Sequence, residues 1–191
     1  MLHFLRRRGT DADLIAEVPA QEQSARPLIG LALGGGAARG FAHIGVIKAL
    51  VANGVKPDII TGTSIGAVAG ACLAAGHLDA FEAWGRSLNR RRVFGYFDFS
   101  LNGSGLINGG RIAKGLRKQF GPLTFADLPV RFAAIATEIG TGHEIWLTRG
   151  FLVDALRASF ALPGIFPPVR IAGRWLMDGA LINPVPVSVA R

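Results

Sequence analysis

Three short stretches carry residue types that can do chemistry. In "GTSIG", Gly62-Thr63-Ser64-Ile65-Gly66, a serine stands among small residues. A serine hydroxyl is a weak nucleophile until it is exposed, aimed and partnered with a base. A sharp strand-to-helix elbow supplies the exposure, and glycines at its ends let the chain bend without clashes. The helix that follows would point its N-terminal amides toward developing negative charge. The plain alternative is a small-residue turn that packs a helix on a sheet.

The second stretch is "GGGAARG", Gly34 to Gly40. Backbone amides approach an anion closely where side chains are small or absent. A P-loop needs Gly-Lys-Ser/Thr, and no lysine follows. A dinucleotide loop needs G-x-G-x-x-G and an acidic residue ending the next strand. From Gly34 the sixth position is Arg39, from Gly35 the third is Ala37, and the next apolar run ends at Gly62 with no acid. An oxyanion hole, with Arg39 braced nearby, suits these residues better than a nucleotide site.

The third is "DGA", Asp178-Gly179-Ala180. An aspartate before glycine is an ordinary turn residue; as a functional group it is a base for the Ser64 proton. An α/β-hydrolase triad runs Ser, acid, His along the chain. All four histidines, His3, His43, His77 and His143, precede Asp178, so that order cannot be met here. His43, just behind the glycine stretch, is a core or hydrogen-bonding residue in one reading and a base in the other.

These groups need elements to position them. "LIGLALG" (Leu28 to Gly34) reads as a buried strand closed by glycine. "FAHIGVIKALVANG" has Ile44, Ile47, Leu50 and Val51 at helical spacing, with Gly54 as its stop. "PDIITG" is a β-branched strand ending at Gly62, and "SIGAVAGACLAAG" is a helix ending at Gly76. The twenty residues Ile59 to Leu78 lack Asp, Glu, Lys and Arg, enough to span a bilayer as one helix of about twenty residues. Their β-branched start and Gly62, Gly66 and Gly70 weaken one continuous helix, so strand, turn and buried helix is the better reading. "NGGRIAKGLRKQFG" predicts an amphipathic helix, with Arg111, Lys114, Arg117 and Lys118 opposite Ile112, Leu116 and Phe120. "VRFAAIATEIGTGHEIWLT" predicts two strands about a "GTG" turn. A helix from about Gly150 to Phe160 and a strand into "WLMDGA" follow. Alternating strands and helices give an α/β fold with a mostly parallel sheet.

The 191 residues suffice for one buried domain. Half are hydrophobic and mean hydropathy is +0.36, which excludes global disorder. One cysteine, Cys72, precludes an intramolecular disulfide and disfavours a thiolate metal cluster; a reducing compartment is compatible with this. The net charge of +8 implies attraction to something anionic. Residues 1–26 read as a basic and polar arm outside a domain of residues 27–191. No apolar core follows its arginines, so it is not a secretory signal. Met1 to Arg8 read first as a frayed tail, and their composition also allows contact with a membrane surface. The basic helix near Arg111 lacks a nucleic-acid reading motif, so nucleic acid is not an expected partner.

Together "LALGGGAARGFAHIGVIKAL", "GTSIG", "ASFALPGIFPPV" and "MDGALINPVPV" resemble the patatin-like phospholipase family, most closely its bacterial branch related to neuropathy target esterase. The resemblance covers roughly Leu28 to the end. It implies a three-layer α/β/α fold and a serine–aspartate dyad without a catalytic histidine. Ser64 would be the nucleophile in an elbow of Gly62, Thr63, Ile65 and Gly66. Asp178 would be the base, on a loop with Gly179 and Ala180. The amides of Gly35, Gly36 and Ala37 would line the oxyanion hole within the loop Gly34 to Gly40, and Arg39 would orient it. Ala37 stands where many members have glycine; its amide remains. The resemblance implies hydrolysis of phospholipid or lysophospholipid acyl esters, with no metal and no cofactor. A cytoplasmic protein touching the inner, anionic membrane face is the matching location. Family domains usually continue past "NPVPV", so a C-terminally short version of the fold is expected. The alternative function is a non-catalytic lipid-binding module that keeps the fold.

Overall fold

A computed structural model describes residues 26–88 and 109–191. The membrane-surface reading of Met1 to Arg8, and the basic, aromatic run that begins at Asn89, lie outside the described residues. Arg26, read from sequence as the end of the arm, is fixed to the domain. Its guanidinium donates to both carboxylate oxygens of Asp58, at 2.9 and 2.6 Å.

The strands are β1 (Gly30–Leu33), β2 (Ile59–Thr63), β3 (Arg131–Glu138), β4 (Glu144–Leu147), β5 (Val169–Ile171) and β6 (Arg174–Asp178). The helices are α1 (Ala42–Ala52), α2 (Ile65–Ala74), α3 (Leu78–Ser87), α4 (Gly110–Phe120), α5 (Leu152–Ser159) and α6 (Val187–Ala190). Short 3-10 turns, Ala37–Phe41 and Gly179–Leu181, follow the glycine loop and Asp178. The uncharged run is therefore β2, an elbow and α2. Among the described residues no helix is long and apolar enough to cross a membrane. Helix α4 forms as its periodicity predicts: Phe120 is buried, Ile112 and Leu116 half-buried, and the four cations exposed.

The sheet is mixed. β1–β2 and β2–β3 are parallel, whereas β3–β4, β3–β6 and β5–β6 are antiparallel. The expectation of a mostly parallel sheet holds only for β1–β2–β3. The short links β3–β4 and β5–β6 are hairpins, and a parallel pair would need a crossover of a dozen or more residues.

One consequence of the register positions the site. β4 pairs with Ala134 to Thr137 of β3, so it occupies one edge of that strand. β2 pairs with Arg131 to Ile135, and β6 with Ala136 to Glu138. Both share residues with β4, so both lie along the other edge. They run toward each other and stop at adjacent positions, Thr63 opposite Ile135 and Asp178 opposite Ala136. The C-terminal ends of two strands far apart in sequence thus meet head to head.

One face of the sheet carries the core. Gly70 of α2 sits against Ile60, Phe132 and Leu33. Residues Gly66 to Cys72 of α2 are all buried, so that helix is apolar on every side because it is enclosed on every side. α1 and α5 pack on α2, α3 packs behind it, and α4 packs on α5. Cys72 belongs to this packing; burial pushes its thiol up to about 12, which makes it inert as a nucleophile. The opposite face is covered over β1 and β2 by α6 and the segment before it. Thr61 and Thr63 donate there to the carbonyls of Pro186 and Asn183, at 3.0 and 2.8 Å. Trp146, paired with Ile135, and Trp175 lie beyond that cover and are exposed. The third layer is therefore thin among the described residues.

Candidate active site

Ser64 sits between β2 and α2 with φ 55° and ψ −123°. A non-glycine residue pays for such a backbone, on the order of 1–3 kcal/mol, and keeps it only where its surroundings dictate it. Two glycines allow those surroundings to close in. A Cβ on Gly62 would stand 2.5 Å from the Ala67 Cα, and one on Gly66 would stand 2.5 Å from the Gly34 carbonyl oxygen. The elbow thus presses α2 against both its own strand and the glycine loop. The serine is half-buried at the top of the bend.

Its hydroxyl donates to Asp178 Oδ2 at 2.7 Å, across 114 residues of sequence. The other oxygen, Oδ1, accepts the Ala180 amide at 2.8 Å. Thr137 Oγ1 donates to the Asp178 carbonyl at 2.9 Å. Asp178 is only 2% exposed. Burial raises its carboxyl above the ordinary 3.8, and the bonds from Ala180 and Ser64 offset part of that rise. Gly179 follows directly, where a Cβ would lie 2.7 Å from the Ile135 carbonyl carbon. Only glycine lets the chain leave β6 so close to β3.

The glycine loop borders the same spot. A Cβ built on Gly35 would lie 3.3 Å from the Ala180 Cβ and 3.6 Å from the Ser64 Cβ. The loop turns sharply at Gly36, with φ 153°, and at Ala37, with φ 49°. Two features bear on its expected role. The Gly35 amide donates to the Pro184 carbonyl at 2.9 Å, so it is spent on holding the loop. Among the described residues, the Gly36 and Ala37 amides show no such bond. Arg39 is exposed and makes no side-chain hydrogen bond or ion pair among the described residues, so its guanidinium does not brace the loop. His43 does that work. Its Nε2 lies 2.8 Å from the Gly34 carbonyl, and because a carbonyl only accepts, that nitrogen carries the proton. Gly40 is buried against Ile65, where a Cβ would come within 2.5 Å of Cγ1.

Among the described residues no histidine hydrogen-bonds to the Ser64 or Asp178 side chain. His43 is committed to the loop, His77 precedes α3, His143 lies in the exposed β3–β4 turn, and His3 is outside the described residues. Among the described residues no group of three or more His, Cys, Asp or Glu is placed to hold a metal ion.

Residues not singled out from sequence complete the arrangement. Ser159, fully buried at the end of α5, accepts the Ser64 amide on its Oγ at 2.9 Å. The Ala161 carbonyl accepts the Asp178 amide at 2.9 Å. The legible signal was a serine inside the otherwise apolar "ASFAL". The Asn183–Pro186 segment offers carbonyls to Thr63, Gly35 and Thr61 in turn. Prolines suit it because they supply an acceptor and carry no amide that would need a partner.

A partly exposed, strained serine bonded to a buried carboxylate thus lies beside a loop of small residues on a mixed α/β sheet. The patatin-like phospholipase family model matches residues 31–191, and the chain belongs to that family. An NTE family protein of Mycobacterium tuberculosis is 41% identical over 165 residues, covering 86% of this chain and 46% of its own. Lysophospholipase NTE1 of the fungus Pyricularia oryzae is 36% identical over 165 residues, covering 84% of this chain and 11% of its own. The chain thus spans less than half the length of these curated relatives. The crystal structure of VipD from Legionella pneumophila shares the fold with a TM-score of 0.60 at 14% identity, over 85% of this chain and 51% of that one.

Proposed function

We propose that this chain is a serine acyl hydrolase acting on phospholipid or lysophospholipid esters. One observation carries the reading: the 2.7 Å bond between the Ser64 hydroxyl and a carboxylate buried at the end of β6. Ser64 attacks the ester carbonyl while Asp178 takes its proton. The Gly36 and Ala37 amides stabilise the tetrahedral oxyanion, and loss of one such donor typically costs about 10²–10³ in rate. The alcohol leaves with a proton returned by Asp178, and water then hydrolyses the acyl-enzyme by the same route. The family membership and the name of the fungal relative support a lipid ester as substrate. The charge of +8 and the exposed cations of α4 support peripheral contact with an anionic membrane.

The direct test is labelling by a fluorophosphonate probe. The wild-type chain is expected to react at a single residue, and Ser64→Ala to show no labelling and no hydrolysis of a short p-nitrophenyl ester. Vesicle binding without labelling of the wild type would favour the non-catalytic lipid-binding reading instead. Undiminished turnover in Ser64→Ala would reject the nucleophile.

A further inference from the structure

We propose that Ser159-Phe160-Ala161 is a positioning clamp that keeps nucleophile and base in register by holding the backbone amides of both residues. The proposal deepens the dyad reading and rests on it. Its basis is a gap in the sheet. β2 and β6 each pair with β3 and meet end to end along one edge, so no ladder bond joins them to each other. Their relative position depends on β3 and on whatever spans the junction.

The segment after α5 spans it. Ser159 Oγ takes the Ser64 N–H at 2.9 Å, and two residues on the Ala161 carbonyl takes the Asp178 N–H at 2.9 Å. Both residues are almost fully enclosed, at 0% and 1% exposure. The clamp therefore bonds the backbone amides of both residues, while their side-chain hydrogen bonds go elsewhere. Pro163 pushes the preceding residue away from helical geometry, so α5 stops here and the chain turns across the junction.

The serine hydroxyl has a specific duty. The Thr63–Ser64 peptide plane sets the direction of the Ser64 Cα–Cβ bond, and the φ of 55° has no intrinsic preference to hold it. An acceptor behind the amide fixes that plane. Alanine at 159 would leave the amide unpaired and let the elbow relax away from Asp178. Cysteine is somewhat larger but keeps a weak acceptor, its sulfur, at the same branch point, so it restores part of the hold.

The test uses the full chain with a p-nitrophenyl ester. Ser159→Ala is expected to lower kcat by about 10–100-fold, the cost of a small misplacement of a reacting group, with KM within about twofold of wild type. Ser159→Cys is expected to recover part of that loss. Wild-type kcat in a folded Ser159→Ala protein would overturn the clamp. So would equal kcat in the two variants, because a merely structural role would move thermal stability and leave the split unchanged. Should either variant fail to fold, amide hydrogen exchange of the wild type decides. The Ser64 amide is expected to be protected to the level of the β2 ladder, and exchange as fast as an exposed loop overturns the proposal. Ser64→Ala in the same assay separates the two readings: its retained turnover would sink the dyad, whereas a dead Ser64→Ala beside a fully active Ser159→Ala would sink the clamp alone.

Discussion

Asp178→Asn should remove turnover and raise the melting temperature at neutral pH. The first effect follows from the role proposed for the carboxylate. General-base catalysis contributes about 10²–10⁴ in rate, and an amide in the same place cannot accept the Ser64 proton. The second follows from burial. The carboxyl is raised above 3.8 because the fold desolvates its charge more than Ala180 and Ser64 compensate. Between the unfolded and the folded value the native state binds more protons than the unfolded chain. Stability therefore falls as pH rises through that window, and the cost of the charge is fully present above it. Asparagine carries no charge, keeps an oxygen for the Ala180 amide, and offers an N–H to Ser64 Oγ. Relative to wild type its advantage should be absent below about pH 3.8, grow through the window, and level off at neutral pH. For a chain of this size each kcal/mol corresponds to about 2–4 °C. The acid limb of wild-type kcat/KM should also lie above the ordinary aspartate range. Calorimetry of both proteins from pH 3 to 8, with ester turnover, reads all of this. A lower melting temperature for Asp178→Asn at pH 7 would show instead that the ionised carboxylate is a structural anchor.

The elements on which these expectations rest were unevenly legible. The elbow could be read because its demands are local: a β-branched run, a serine flanked by glycines, then small helix formers. The same locality exposed α1, α4, α5 and the β3–β4 hairpin. Strand β5, of three residues, shows no alternation long enough to read. The mixed character of the sheet was hidden because the sequence displays turns but not which edge a hairpin will join. The meeting of β2 and β6 is a register property of β3, and nothing near Ser64 or Asp178 announces it. The glycine loop lies beside the serine, but the bonds that hold it are not legible in residue type. Arg39 drew attention as the charged residue, whereas His43 and Pro184 hold the loop. Backbone-directed bonds of that kind, like those of Ser159 and Ala161, depend on tertiary placement and leave little trace in residue type.

Gly66→Ala should damage fold and activity together, and the reason is visible in a single contact. Gly66 is the second residue of α2, and alanine is ordinarily the better helix former by roughly 1 kcal/mol. Here that preference is overwhelmed. The new methyl would stand 2.5 Å from the Gly34 carbonyl oxygen, with the Leu33 carbonyl nearer still. Both are backbone atoms of β1 and the glycine loop and cannot swing aside as a side chain would. The helix must retreat by roughly 1 Å, and overpacking of this kind costs about 3 kcal/mol, or about 6–12 °C in melting temperature. The retreat also separates Ser64 from the Gly36 and Ala37 amides, so the protein that remains folded should lose about 10² in kcat. Gly45→Ala supplies the contrast. It lies on the exposed side of α1 with nothing within 4 Å of its added methyl, so it should stabilise the chain slightly and leave turnover unchanged. Equal behaviour of the two variants would mean that the close approach of elbow and loop does not govern the site.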